Sequence, residues 1–322
     1  MNIRPRRLRA SQIMRDMVAE TRLSKSMLIQ PYFVFNGENR TEEISAMPGI
    51  SRLSPDRLVK EVEQLIKKGL NKILLFGVGE EKADDGHTSF NKNSIIPLAI
   101  KNLKKEFGND IFIVTDVCLC AYTTHGHCGI LKNNYVQNDE SLEALGKMAV
   151  AHADSGADMV SPSDMMDGRV AFIRSALDEN KFTEVSIMSY AVKFASSYYG
   201  PFREAAGSAL GKGDRKSYQM DFRNIKEAIK EAIIDEEEGA DILMVKPALS
   251  YLDIIAKIRE NTTLPVACYN VSAEYSMVKN AAAAGLINEQ EIVLENMYAF
   301  ARAGANIIIS YHTADIFRNN WI

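Results

Sequence analysis

Gly239-Ala240-Asp241-Ile242-Leu243-Met244-Val245-Lys246-Pro247 is the stretch that decides the fold. A glycine just past a helix takes the left-handed conformation that turns the chain, and two residues make the connection. The run that follows is apolar without alternation, as a parallel strand buried on both faces requires. The same punctuation recurs at Gly69-Leu70-Asn71, Gly108-Asn109-Asp110, Gly156-Ala157-Asp158 and Gly304-Ala305-Asn306, each directly before a short apolar run. Ahead of Gly69 the pattern predicts a helix over 54–68. Ser54 stands as N-cap, Pro55 at the first helical position, Leu58, Val62, Leu65 and Ile66 on one face, and Lys67 and Lys68 in the last turn.

Counted outward from that stretch, the apolar runs predict eight strands, at 28–35, 72–78, 111–119, 159–163, 185–193, 242–246, 265–271 and 307–312. Eight strands separated by helical segments, with no linker, predict an α/β fold: a closed (β/α)8 TIM barrel rather than an open doubly wound sheet. The catalytic domain then spans 28–322, preceded by an N-terminal extension arm, 1–27. The 322 residues exceed a typical barrel of about 250. The excess lies in the arm and in long segments after strands.

Composition narrows the function classes. Apolar residues make up 46% and charged residues 25%, which excludes disordered and low-complexity chains. Net charge is −4, so electrostatics give no reason to expect nucleic acid or an anionic membrane as partner. No run reaches the 18 or more apolar residues of a membrane span, and no secretory signal is present, so a cytoplasmic protein is expected. The arm carries Arg4, Arg6, Arg7, Arg9 and Arg15, a composition shared with organelle transit peptides. A core-like strand starting at Leu28 favours an exposed arm that frays or docks on another subunit. Four cysteines are too few for a disulfide scaffold.

In such a barrel, chemistry gathers where strands end. The third strand runs out as Asp116-Val117-Cys118-Leu119-Cys120, and Cys128 returns through the Gly126 and Gly129 turns. On a strand, i and i+2 share a face, so Cys118 and Cys120 point together. Three thiolates suit tetrahedral zinc with an open fourth position; a structural site closed by His125 or His127 is the alternative. Cys268, among Val266, Ala267 and Tyr269, reads as core. The fifth and sixth strands each end on a lysine, Lys193 and Lys246. Alone, either is an ordinary strand-end lysine stretching to solvent. As a pair in apolar surroundings, each disfavours the other's charge, which frees an amine to attack a ketone and form an imine. The loop after the fifth strand, Tyr198 to Gln219, is long, glycine-rich and basic. It fails the phosphate-loop pattern and reads as a lid whose Arg203 and Arg215 grip a carboxylate.

The triple-cysteine run, the two strand-end lysines, Gly239 through Lys246-Pro247 to Tyr251, and Gly213-Asp214-Arg215-Lys216-Ser217-Tyr218-Gln219 occur together in order. In these the chain resembles the porphobilinogen synthase family, also called 5-aminolevulinate dehydratases, over essentially its whole length. The resemblance implies condensation of two molecules of 5-aminolevulinate to porphobilinogen, with loss of two waters, in tetrapyrrole and heme biosynthesis. It implies that Lys246 binds the ketone of the A-side substrate and Lys193 that of the P-side substrate. Arg203, Arg215 and Gln219 match A-side carboxylate contacts, and Ser272 and Tyr311 P-side ones. Tyr198, Tyr269 and Val271 match pocket walls, and Asp116 a polar member of the site. Three retained cysteines point to the zinc-dependent branch of the family, Glu231 stands at the position of an activating magnesium site, and the arm matches one used in a homo-octamer. Two rivals remain at this point: a lyase or aldolase of another kind using Lys246 alone, and an inactive zinc-stabilised barrel serving as an interaction protein.

Overall fold

The computed structural model describes residues 3–79, 81–209 and 213–322. Eight parallel strands follow one another around a closed ring: β1 (Leu28–Phe35), β2 (Lys72–Val78), β3 (Phe112–Val117), β4 (Met159–Pro162), β5 (Ser186–Lys193), β6 (Ile242–Lys246), β7 (Val266–Asn270) and β8 (Ile307–Ser310). Pairing of Leu28 with Ile308 and Ile29 with Ile309 closes it. The ring is the (β/α)8 TIM barrel that the eight apolar runs predict. Around it lie α1 (Pro55–Ile66), α2 (Ile95–Phe107), α3 (Asn138–Asp154), α4 (Arg169–Glu179), α5 (Ile225–Glu237), α6 (Leu252–Asn261), α7 (Ser272–Ala283), α8 (Glu289–Ala303) and α9 (Thr313–Arg318).

The helix exits behave as the glycines require. Gly239 has φ +99° and Gly304 φ +114°, and a Cβ on Gly304 would meet Arg259 Cγ at 2.8 Å. Ser54 does take the N-cap position of α1, but its hydroxyl bonds Asp56 and the Arg40 backbone instead of capping the helix. Apolar side chains divide into two layers. Phe33, Leu74, Phe76, Val114, Met188, Tyr190, Met244, Tyr269 and Ile309 fill the barrel interior. Leu75, Ile113, Val160, Ile187, Leu243, Val245, Cys268 and Ile308 face the helices. The alternation follows from the period of two along a strand.

Two hairpins are additions to the expected plan. Thr41–Glu43 and Ser51–Leu53 form one, and its second strand lies alongside β1. Ile130–Lys132 and Tyr135–Gln137 form the other, turning at Asn133 and Asn134, both with positive φ. The arm is helical in part, with turns at Pro5–Arg9 and Gln12–Met17, and it leaves Ile3, Leu8, Ile13 and Met17 exposed. Of the expected arm and lid, residues 1–2 and 210–212 lie outside the described residues. No helix among the described residues is long and apolar enough to cross a membrane.

Candidate active site

The mouth of the barrel brings the two lysines side by side. β5 and β6 pair so that Lys193 is the register neighbour of Lys246, and both are buried. Lys246 Nζ sits in an aromatic cage, 4.4 Å from the ring centre of Tyr269, 4.9 Å from Tyr190, 5.0 Å from Phe202, 5.4 Å from Tyr199 and 5.9 Å from Phe76. Lys193 Nζ donates to the Ser163 carbonyl and lies 5.7 Å from the Tyr190 ring. Burial, and after it the charge of Lys193, pulls Lys246 down to about 7. Asp116 projects from the inner face of β3 between them and the cysteines. Removal from water lifts it to about 6 against the opposing pull of Lys193, a Ser163 hydrogen bond and Lys246, and its Oδ1 has no partner. An amine and a carboxyl that both titrate near neutrality can exchange protons with a reacting group.

Cys118, Cys120 and Cys128 converge with their Sγ atoms within 4.8 Å of one another, all buried. The route differs from the one expected. β3 ends at Val117, and a 3₁₀ turn over Leu119–Ala121, rather than an extended i, i+2 pair, carries Cys120 back beside Cys118. Hydrogen bonds with Cys120 and Cys128 push Cys118 up, while those donated by Cys118 and Cys120, with the nearby Arg215 charge, hold Cys128 well below the usual thiol range. The trio thus shares its protons around a ready thiolate. Tetrahedral zinc at about 2.3 Å from each sulfur takes three converging thiolates, and these three sulfurs lie within 4.8 Å of one another. His125 and His127 stand outside the set: His125 Nδ1 accepts the His127 N–H at 3.1 Å, and His127 Nδ1 lies 3.1 Å from Tyr218 Oη. The donor set therefore fits an ion with three protein sulfurs and an open position.

The loop after β5 covers this mouth. Its helix Gly200–Ala205 is held from the far side by Arg52, whose Nε donates to the Ala205 carbonyl at 2.7 Å. Arg215 is buried, and its Nη2 donates to the carbonyls of Gly126 and Ser208 at 2.9 and 3.0 Å. Burial opposes its charge, but the cysteines outweigh that penalty and raise it. Burial and the Arg215 charge act in the other direction on Arg203. Arg203 Nε, Arg215 Nε and Gln219 Nε2 are buried donors with no partner. Buried donors left open in this way invite an acceptor such as a carboxylate. On the opposite side, Tyr269 Oη donates to Tyr311 Oη at 2.9 Å, and Ser272 Oγ, at the start of α7, accepts the Phe202 N–H at 3.0 Å. Val271 is buried, and half-buried Tyr198 places its hydroxyl 3.0 Å from Ser250 Oγ.

Residues 2–319 match the family model described as delta-aminolevulinic acid dehydratase. The chain belongs to the delta-aminolevulinic acid dehydratase family. It is 50% identical to the enzyme of that name from Helicobacter pylori over 97% of either chain. It is also 50% identical to that from Bacillus subtilis, over 97% of this chain and 96% of the other. A crystal structure of the Toxoplasma gondii delta-aminolevulinic acid dehydratase, in complex with the reaction product porphobilinogen, superposes with a TM-score of 0.96 at 44% identity. That match covers 99% of this chain and 91% of the other.

Within this dehydratase fold, one pairing drawn from the resemblance is reversed. The resemblance sets Lys246 with Arg203, Arg215 and Gln219, and Lys193 with Ser272 and Tyr311. Strand order does the opposite. β6 borders β7, which carries Tyr269 and through it Tyr311, so Lys246 belongs with the hydroxyls. Lys193 closes on the lid: its carbonyl accepts the Met220 N–H at 3.1 Å, one residue from Gln219.

Glu231, on α5, is half-buried in a cavity of about 230 Å³ that Asp167 and Glu227 also line. It belongs to no set of three or more His, Cys, Asp or Glu donor atoms within 4.8 Å of one another among the described residues. The second such set, Glu289, His312 and Asp315, already has the Lys279 ammonium, 2.6 Å from Glu289 and 3.2 Å from Asp315. Sequence reading missed most of the aromatic cage. Phe76 and Tyr190 carry an inward period-two signal on their strands, whereas Tyr199 and Phe202 arrive from the lid with no periodic signal. It also missed Glu274, whose buried carboxylate accepts the N–H groups of Leu249 and Val271 and so ties the loop after β6 to α7.

Proposed function

We propose that this chain condenses two molecules of 5-aminolevulinate to porphobilinogen, releasing two waters, through imines on Lys193 and Lys246. The observation that carries the reading is the paired, buried lysines, one of them held near neutrality, at the mouth of a barrel whose fold matches a porphobilinogen-bound relative. Each lysine, once its amine has given up a proton, attacks a ketone and expels one water, which accounts for both waters lost. Each lysine returns as a free amine once bonds within the product replace its own imine. Asp116, within the field of both amines, moves protons at the attacked carbonyl oxygen. The aromatic cage excludes water from Lys246, and that burial brings its amine down to about 7. Arg203, Arg215 and Gln219 receive the carboxylate of the substrate at Lys193. Ser272, at the positive end of α7, and Tyr311 receive that of the substrate at Lys246, with Tyr198, Tyr269 and Val271 as walls.

Cys118, Cys120 and Cys128 would hold zinc, which when bound supplies a Lewis acid beside the Lys193 substrate. The exposed apolar side chains of the arm suit docking on a second copy, in keeping with an octamer. Porphobilinogen formation from 5-aminolevulinate, with zinc and a thiol reductant present, tests the reading. Borohydride in the presence of substrate should fix label on both lysines. Absence of product, or of label on either lysine, would sink it.

A further inference from the structure

The inward direction of Lys193 breaks the rule that governs the rest of its strand. Along β6, Ile242 and Met244 face the barrel interior and Lys246 continues the series two residues on. Along β5, Met188 and Tyr190 face inward, so a regular strand would put Val192 inside and Lys193 outside among the helices. The pairing shows why this does not happen. Ser189 opposes Leu243 and Val192 opposes Val245, so Tyr190 and Ala191 together oppose Met244 alone. That extra residue is a bulge. After it the alternation flips: Ala191 and Val192 both pack in the outer layer, and Lys193 turns inward beside Lys246.

The bulge is held from outside the barrel. Arg169, the first residue of α4 and wholly buried, donates through Nη2 to the carbonyl of Tyr190 at 3.3 Å and to Ser189 Oγ at 3.2 Å. The same nitrogen lies 2.7 Å from Asp235 Oδ2 on α5, while Nη1 reaches Asp235 Oδ1 and the Met166 carbonyl, each at 3.2 Å. Ser189 Oγ donates in turn to Asp235. Ser163, whose carbonyl takes the Lys193 ammonium, begins the loop that Arg169 ends. One guanidinium thus clamps the bulged backbone, α5 and the loop that receives Lys193. We infer that Arg169 is a positioning residue for Lys193, fixing the β5 bulge that turns this amine into the barrel. The inference rests on the reading of Lys193 as an imine-forming amine.

The test uses the full-length protein and 5-aminolevulinate with borohydride, followed by peptide mapping of the label. Arg169→Met combined with Asp235→Leu removes the cation and its main anion together, and Asp164, 4.0 Å from Arg169 Nε and already lifted to about 7 by burial, is left to take up a proton. In this variant label on Lys193 should fall at least about tenfold, label on Lys246 should stay near the wild-type level, and kcat should fall more than KM changes. Arg169→Lys keeps the charge against Asp235 but lacks the fork that also reaches Tyr190. It should show the same order with a smaller loss, and it carries the test if the double variant does not fold. Undiminished label on Lys193, or equal loss from both lysines in folded protein, would overturn the positioning role while leaving the two-imine reading intact. A wild-type protein that takes no label on Lys193 would overturn both.

Discussion

The two halves of the barrel mouth solve the same task with different materials. The half around Lys246 is built from β6, β7, β8, the start of α7 and the aromatic first turn of the lid, and its substrate-facing hydroxyls are already engaged, Tyr269 with Tyr311 and Ser272 with the backbone of Phe202. The half around Lys193 is built from β3, β5 and the lid, and it holds unpartnered donors and a cluster of thiols. One half is predominantly aromatic. The other is charged and leaves buried groups that only a ligand would satisfy. Substitutions on the Lys193 side should therefore cost more function than equivalent ones on the Lys246 side, and cost it in turnover as well as affinity.

The largest effect should come from Cys128→Ser, which removes the sulfur best able to ionise. Turnover should fall by at least about 10³-fold while the thermal midpoint moves by only a few degrees, because the trio caps the barrel outside its apolar layers. Unfolding on chelation or in this variant would mark the sulfurs as a structural site instead. Arg215→Met should come next. Losing charge-assisted hydrogen bonds to a carboxylate should lower kcat/KM by about 10²-fold. Tyr311→Phe removes a neutral hydroxyl and should cost about tenfold, mostly in KM. Parity between these two variants would erase the contrast between the halves.

The smallest change is a shift in pH dependence. Label trapped at Lys246 should rise with pH through about 7 in the wild-type protein, as the amine loses its proton. In Lys193→Met a neighbouring cation disappears, so the rise should move to higher pH. It should stop short of an ordinary lysine, because burial is the greater cause. A rise unmoved by this substitution would mean that the two amines do not sense each other.

The same contrast separates what was legible in the amino-acid sequence from what was not. The barrel was legible because each glycine exit and each unbroken apolar run is a local signal. The Ser51–Leu53 strand was not, since its three residues are polar in part and owe their pairing to β1. Asn133-Asn134 did carry the signature of a tight hairpin turn, and its flanking residues were too few to count as strands. The cysteines and lysines were visible as residue types. The turn that gathers the cysteines, and the bulge that aims Lys193, depend on partners in other strands and helices. The swapped assignment of Lys193 and Lys246 has the same origin, because which residues share a pocket follows from strand order rather than from any one motif.

Arg215 joins the cysteine loop at Gly126 to the lid at Ser208, and a methyl group on Gly126 would press the Ala209 carbonyl oxygen at 2.6 Å. One side chain is thus a shared latch. Any influence that what the cysteines hold exerts on what the lid encloses is returned by the same factor, since a thermodynamic linkage runs equally in both directions.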